Sequence, residues 1–314
     1  MNKGREGNKT RKRKFISSKR EFRENLTGLL LFGPFLLLAS TFILYPILYS
    51  FFISFKEFSF LNPAAAKWVG IGNYFALFQD SRFLTALWNT IKLVLLVVPA
   101  QTAIALLLAN VLNSKIKART FFRTVFYLPY VTSPVAIGAV MIHLFKKNGI
   151  ATEFFALFGL ENVAWFTSGN YAFPLITMVI VWTQIGFYTV IYLGGLQSIS
   201  PQLYEAASLD GASKIKQFFH ITLPLLKPTT FLVLVMGVLA TLQIFEQPYV
   251  ISTSGGALPG SPGDTTLTLV MYLYTQAFRY YEMGFASAAA FVIFTLIFII
   301  TIFQYKLFGY KTPQ

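Results

Sequence analysis

Apolar residues in this chain come in long blocks, with the polar residues gathered mainly between them. A bilayer core of about 30 Å needs roughly 20 residues of helix to cross it. Six blocks reach that length: Leu26 to Phe55, Leu87 to Leu112, Phe121 to Phe145, Tyr171 to Leu196, Thr229 to Ile251 and Met283 to Phe308. The pattern predicts an all-α polytopic membrane protein with six transmembrane helices. A shorter apolar run from Leu267 to Phe278 is followed by Arg279, Tyr280, Tyr281 and Glu282. It reads as a helix at the outer interface, because it is too short for a seventh span.

A long internal stretch without a membrane-length block runs from Ser200 to Pro228, SPQLYEAASLDGASKIKQFFHITLPLLKP. Ser200 and Pro201 make a helix start, a hydroxyl cap followed by proline at the first helical position. Asp210 and Gly211 break that helix. Ser213 can cap a second one, in which Ile215, Phe218 and Phe219 share a face and which Pro224 stops. Small Ala206 and Ala207 beside Glu205 would let the first helix approach another surface closely while keeping a carboxylate for a cationic partner. An ordinary amphipathic loop between two membrane helices would show the same pattern.

Composition agrees with the bilayer as solvent: 55% of the 314 residues are hydrophobic, 17% aromatic and only 12% charged, far from soluble globular usage. There are no cysteines, which excludes disulfides and thiolate metal sites, and His143 and His220 stand apart. The net charge of +14 would suit nucleic acid on a polar domain, but the apolar blocks leave little room for one. Its distribution is more telling. Residues 1–25 carry ten Lys or Arg, and Lys115, Lys117, Arg119, Arg123, Lys214, Lys216, Lys227, Lys306 and Lys311 fall on the same side of a six-span topology. The opposite side holds Lys56, Lys67, Arg82, Lys146, Lys147 and Arg279, balanced by Glu57, Asp80, Glu153, Glu161, Asp264 and Glu282. Cationic loops stay in the cytosol, so both termini and the Ser200 to Pro228 segment are expected there. Residues 1–25 form a basic tail, disordered from Lys3 to Lys14, with Phe15 to Leu26 able to lie as an amphipathic helix on the anionic inner leaflet. Residues 26–314 form a single membrane domain.

Candidate chemistry is sparse. There is no phosphate-binding loop, no Ser/His/Asp arrangement and no metal cluster in the sequence. Lys92 and Glu246 are the ionisable groups at membrane depth, and Lys92 can snorkel outward. Gln243, Glu246 and Gln247 cluster within about one helical turn. A hydroxyl-rich ligand, a neighbouring helix, or protonation of Glu246 would each satisfy them. Gln184, Phe187 and Tyr188 form a second polar and aromatic group, open to ligand contact or helix packing.

Glu205, Ala206, Ala207, Gly211, Ile221, Leu223 and Pro224 have the spacing of the EAA loop in membrane subunits of bacterial ABC importers. Elsewhere the chain resembles the carbohydrate-uptake, maltose-type branch: Tyr45-Pro46, Gly72 to Tyr74, Ala86 to Thr90, Leu128-Pro129 and Glu282 to Ala288. The resemblance implies a type I importer permease fold in the bacterial cytoplasmic (inner) membrane. It also implies a second homologous permease, two ABC ATPase subunits that hold the ATP and Mg, and an extracytoplasmic sugar-binding protein. This chain would carry no cofactor of its own. In the EAA loop, Glu205 would contact the ATPase, Ala206 and Ala207 would permit close packing, Gly211 would allow the turn, and Leu223 and Pro224 would complete the coupling element. By the same resemblance, sugar contacts fall on Ser133, Gln184, Phe187, Gln243 and Glu246. Where the family usually has Gly-Gly-Pro after the fifth helix, this chain has Gly255, Gly256 and Ala257. Competing expectations are an ion-coupled secondary transporter using Glu246 and a polytopic membrane enzyme.

Overall fold

Prolines decide where the apolar blocks bend. The structure, a computed structural model, describes residues 19–114, 119–160 and 163–308. The predicted tail before Lys19, and Lys115, Lys117, Glu161 and Lys311 of the charge argument, lie outside the described residues. The chain divides into two units, residues 1–52 and 53–314.

In the first unit, α1 (Lys19–Ala39) and α2 (Tyr45–Ile53) are joined by a π-helical turn, Ser40–Leu44. Leu30–Ile53 is an apolar stretch of 24 residues, long enough to cross a membrane. The turn closes with Tyr45 N–H donating to the Ser40 carbonyl, and Pro46 follows at once. A proline cannot donate to the carbonyl four residues back and its ring crowds that oxygen. Widening the turn by one residue accommodates it without ending the helix.

In the second unit, β1 (Lys56–Glu57) and β2 (Lys67–Trp68) form a small antiparallel pair before α3 (Gly72–Gln79). Next come α4 (Ser81–Asn113), α5 (Arg119–Val131), α6 (Pro134–Phe145), α7 (Ile150–Ala156) and α8 (Gly169–Gln197). The chain continues through α9 (Pro201–Leu209), α10 (Lys214–Gln217), α11 (Leu223–Leu225), α12 (Lys227–Leu242) and α13 (Glu246–Ser252). It closes with α14 (Leu269–Phe278) and α15 (Met283–Phe308). Five helical stretches among the described residues have the length and apolarity of spans, and a bent pair supplies a sixth.

Two expected spans are broken. The third block is two helices, α5 and α6, meeting at 98°. Pro134 opens α6 and cannot continue α5, while Ser133 before it is forced out of helical geometry, at φ −53° and ψ 126°. The fifth block breaks at Gln243 to Phe245, between α12 and α13. Pro248 cannot donate to the Ile244 carbonyl, which instead accepts the Thr268 hydroxyl at 3.1 Å. The short helix α14 agrees in extent with the expected interfacial helix, but Leu269, Met271, Tyr272, Thr275, Gln276 and Ala277 are buried, so it packs into the unit.

Several sequence motifs are close-contact devices. Asn73 donates to the carbonyls of Ser54 and Lys56 at 2.8 and 2.9 Å. Asn89 donates to those of Asp264 and Leu267, and Thr90 accepts from the Leu269 N–H. A Cβ on Gly284 would lie 2.0 Å from the Lys56 carbonyl oxygen. Asp80 caps α4 through the Arg82 N–H and accepts from the Tyr272 hydroxyl. Burial, and then this bond to Asp80, holds the Tyr272 phenol well above its usual pKa range, so it stays a donor.

The core follows α8. Leu93 and Val97 of α4 meet Ile176 and Ile180 of α8 with Ile137 and Met141 of α6. Nearer the Gln197 end, Ala105 and Ala109 of α4 face Tyr188 and Tyr192. Lipid tails are as apolar as leucine, so close packing at small residues contributes more than exclusion from water. Gly186 is such a point, since a Cβ there would lie 2.0 Å from the Phe126 carbonyl oxygen of α5.

Candidate functional site

The Ser200 to Pro228 segment folds as a braced helical hairpin. Pro201 opens α9, but the Ser200 hydroxyl makes no capping bond. The Ser200 carbonyl accepts the Leu203 N–H. At the other end Gly211 N–H donates to Ser208 and Ala212 N–H to Ala207, the Schellman pattern, with Gly211 at φ +77° in the left-handed region. That conformation is why glycine stands there. Ser213 caps α10 through the Lys216 N–H. The Tyr204 and Thr222 hydroxyls hydrogen-bond at 2.9 Å, and Gln217 Nε2 donates to Ser208 Oγ at 2.9 Å and to the Ala212 carbonyl at 3.1 Å.

Pro224 does not stop this helix. A second π-turn, Phe218–Thr222, closes with Leu223 N–H on the Phe218 carbonyl, and Pro224 follows it as Pro46 follows the first. Helical geometry continues to Leu225, and α12 starts after the joint at Leu226. The widened turn separates the expected face: Ile215 and Phe219 are exposed, while Phe218 turns half inward. Glu205 and Ala206 are exposed, Ala207 is half-buried, and Leu209 is 90% exposed. Leu223 and Pro224 are exposed at the foot of the hairpin. A hairpin that exposes a carboxylate at Glu205 together with the apolar Leu209, Ile215 and Phe219 offers a surface suited to another protein.

At the opposite end of α5, the bend to α6 opens a cavity of about 330 Å³ against α8, α12 and α13. Its polar wall is Thr132, Thr183, Gln184, Tyr188 and Gln247, and its aromatic wall is Tyr130 and Phe187, stacked at 4.6 Å and 13°. Gln184 is 8% exposed, and its Oε1 lies 3.4 Å from the Tyr188 hydroxyl. No lining residue is charged. Buried amides and hydroxyls beside a flat π-face provide hydrogen bonds and stacking for an uncharged, hydroxyl-rich ring.

Of the five expected substrate residues, the structure brings Gln184 and Phe187 together in this cavity. Ser133 sits at the bend between two lining residues, with its own side chain exposed. Gln243 and Glu246 do not line it: the break places Gln243 at the end of α12 and Glu246 at the start of α13, both exposed. Gln247 takes their place in the wall. Tyr130 and Gln101 were not singled out from sequence. Gln101, fully buried in α4, has an amide without a hydrogen-bond partner among the described residues. Its Nε2 would lie 2.5 Å, and the Tyr188 hydroxyl 3.6 Å, from a Cβ on Gly237. An amide in the middle of an apolar block is itself the signal that could have found Gln101. No group of three or more potential metal ligands occurs among the described residues.

Residues 70–309 match the family described as binding-protein-dependent transport system inner membrane component. The sulfoquinovosyl glycerol transport system permease protein SmoG of Agrobacterium fabrum is 34% identical over 279 residues, covering 88% of this chain and 89% of that one. The arabinooligosaccharides transport system permease protein AraP of Bacillus subtilis is 35% identical over 280 residues, covering 88% of this chain and 87% of that one. A chain in the crystal structure of a bacterial ABC transporter involved in import of the acidic polysaccharide alginate has the same fold. It superposes with a TM-score of 0.80 at 23% identity, over 94% of this chain and 100% of that one.

Proposed function

The chain belongs to the binding-protein-dependent transport system inner membrane component family, and from that membership we propose that it is the permease subunit of an ATP-driven importer for a sugar. The solute would be a mono-, di- or oligosaccharide, or a related polyol or glycerol conjugate. The observation that carries the solute class is the uncharged cavity with buried Gln184, Tyr188 and Gln247 facing the Tyr130 and Phe187 stack. Relatives named for sulfoquinovosyl glycerol and arabino-oligosaccharides support it.

Energy enters from outside this chain in the proposal. A second permease completes the pathway, two ATPase subunits hold ATP and Mg, and an extracytoplasmic binding protein delivers the sugar at the bacterial inner membrane. The hairpin of α9 and α10 is the docking element: Glu205 meets a basic or polar group of the ATPase, Ala206 and Ala207 allow close approach, and Gly211 fixes the turn. Closure of the ATPase pair would draw the hairpins together and open the cavity outward. An ion-coupled carrier built on Glu246 has less support, since that side chain lies outside the cavity wall. Purification with the co-assembling subunits, then a screen of binding protein and sugars for stimulated ATP hydrolysis, tests the reading. Stimulation by a sugar is expected; the absence of any ATPase subunit from the assembly would refute it.

A further inference from the structure

Resting on the reading of the hairpin as the docking element, we propose that Arg119, Arg123 and Gln197 form a breakable link that transmits hairpin movement to the cavity wall. Gln197 is the last residue of α8, three positions before the hairpin begins at Ser200. With its amide oxygen turned toward α5, Gln197 accepts from Arg123 Nη2 at 3.2 Å and from Arg119 Nη2 at 3.1 Å. Arg119 Nη2 also reaches Asn113 Oδ1, the last residue of α4, at 3.5 Å. Arg119, at the start of α5, therefore gathers the ends of α4 and α8. Neither guanidinium has a carboxylate partner among the described residues, and both Nε atoms are buried without a partner.

Two further contacts carry this junction toward the cavity. Phe126 and Gly186 touch at backbone distance, so α5 cannot slide on α8 there without a clash. Beyond them Tyr130 stacks on Phe187 in the cavity wall. Phe187 lies ten residues before Gln197 in one unbroken helix, about 15 Å at 1.5 Å per residue. On the hairpin side, Gly195 packs against Leu226 and Thr229 at the foot of α12. A pull on α9 thus acts first on Gln197, and through the two arginines on α5.

A neutral amide oxygen shared by two cations lacks the ion–ion attraction that a carboxylate would add in that position. The link can therefore open and reform, where a glutamate would hold it closed. Gln197→Leu and Gln197→Glu should then fail in different ways. In the reconstituted transporter with its ATPases and binding protein, Gln197→Leu is expected to keep the ATPase subunits at wild-type stoichiometry. Sugar transported per ATP hydrolysed should fall by about tenfold, within the usual range of coupling between sites. Gln197→Glu is expected to keep the wild-type sugar-to-ATP ratio but to turn over more slowly, with kcat lowered and KM for the loaded binding protein unchanged. A wild-type ratio in Gln197→Leu overturns the link. So does a loss of transport in both variants that merely follows loss of ATPase subunits or of thermal stability. Glu205→Lys run in parallel separates the premises: if it transports normally, the docking reading fails; if it uncouples while Gln197→Leu does not, the link alone fails.

Discussion

Arg82 and Asp264, 182 positions apart, meet in a two-bond ion pair, Nε to Oδ2 at 2.9 Å and Nη2 to Oδ1 at 2.8 Å. Asp264 holds a left-handed backbone at φ 58°, and its carbonyl accepts from Asn89. Side chain and backbone of one residue thus pin the loop between α13 and α14 onto the start of α4. Both side chains are about a third exposed (32% and 31%), so the pair is worth only about 0.5 to 1 kcal/mol. A double-mutant cycle of Arg82→Ala and Asp264→Asn, read by thermal unfolding, should return a coupling of that size. Faster amide exchange in residues 253–268 should accompany it, and additive single effects would contradict the pinning role.

At Gly186 a methyl group has no room, because the atom it would strike is the Phe126 backbone oxygen. Gly186→Ala should cost about 1 to 3 kcal/mol by overpacking and lower sugar uptake by tilting α5. Gly194→Ala is the control, since nothing lies within 4 Å of a Cβ there. Thermal shift of the purified complex distinguishes the two, and equal stability would contradict the close crossing.

In the cavity, Gln184→Ala and Gln247→Ala should each raise KM for uptake about fivefold, the loss of a hydrogen bond worth about 1 kcal/mol. Gln243→Ala and Glu246→Ala, whose residues are exposed and do not line the cavity, should change KM less. Transport kinetics over several sugars check the order. Larger effects at 243 and 246 would move the sugar site to the break between α12 and α13.

For the hairpin, Glu205→Lys should uncouple ATP hydrolysis from uptake while the subunits remain assembled. Gly211→Ala, strained by about 1 to 2 kcal/mol at positive φ, should weaken coupling less. Parallel measurement of hydrolysis and uptake tests both variants, and wild-type uptake in Glu205→Lys would remove that residue from the docking role.

The blocks from Tyr171 to Leu196 and from Met283 to Phe308 were readable to within a residue or two, because uninterrupted apolar runs leave a helix no other option in lipid. Gly211 was equally legible, since a glycine just past a helix end announces a left-handed cap. Prolines were visible but their effects were not. Pro46 and Pro224 are absorbed by π-turns, whereas Pro134 and Pro248 break their helices. The difference at Pro248 is the Thr268 hydroxyl, which satisfies the freed Ile244 carbonyl from 24 residues away. The same remoteness hid Gln247: which of three neighbouring polar side chains faces the cavity depends on that break.

The central claim is that ATP, through a separate subunit, drives uptake along a path that includes this chain. Uptake of labelled sugar into proteoliposomes holding the assembled complex, with loaded binding protein outside and ATP sealed inside, tests it most directly. Uptake should require the ATP and persist when the proton and sodium gradients are collapsed. Uptake that proceeds without ATP and vanishes with the ion gradient would contradict the account.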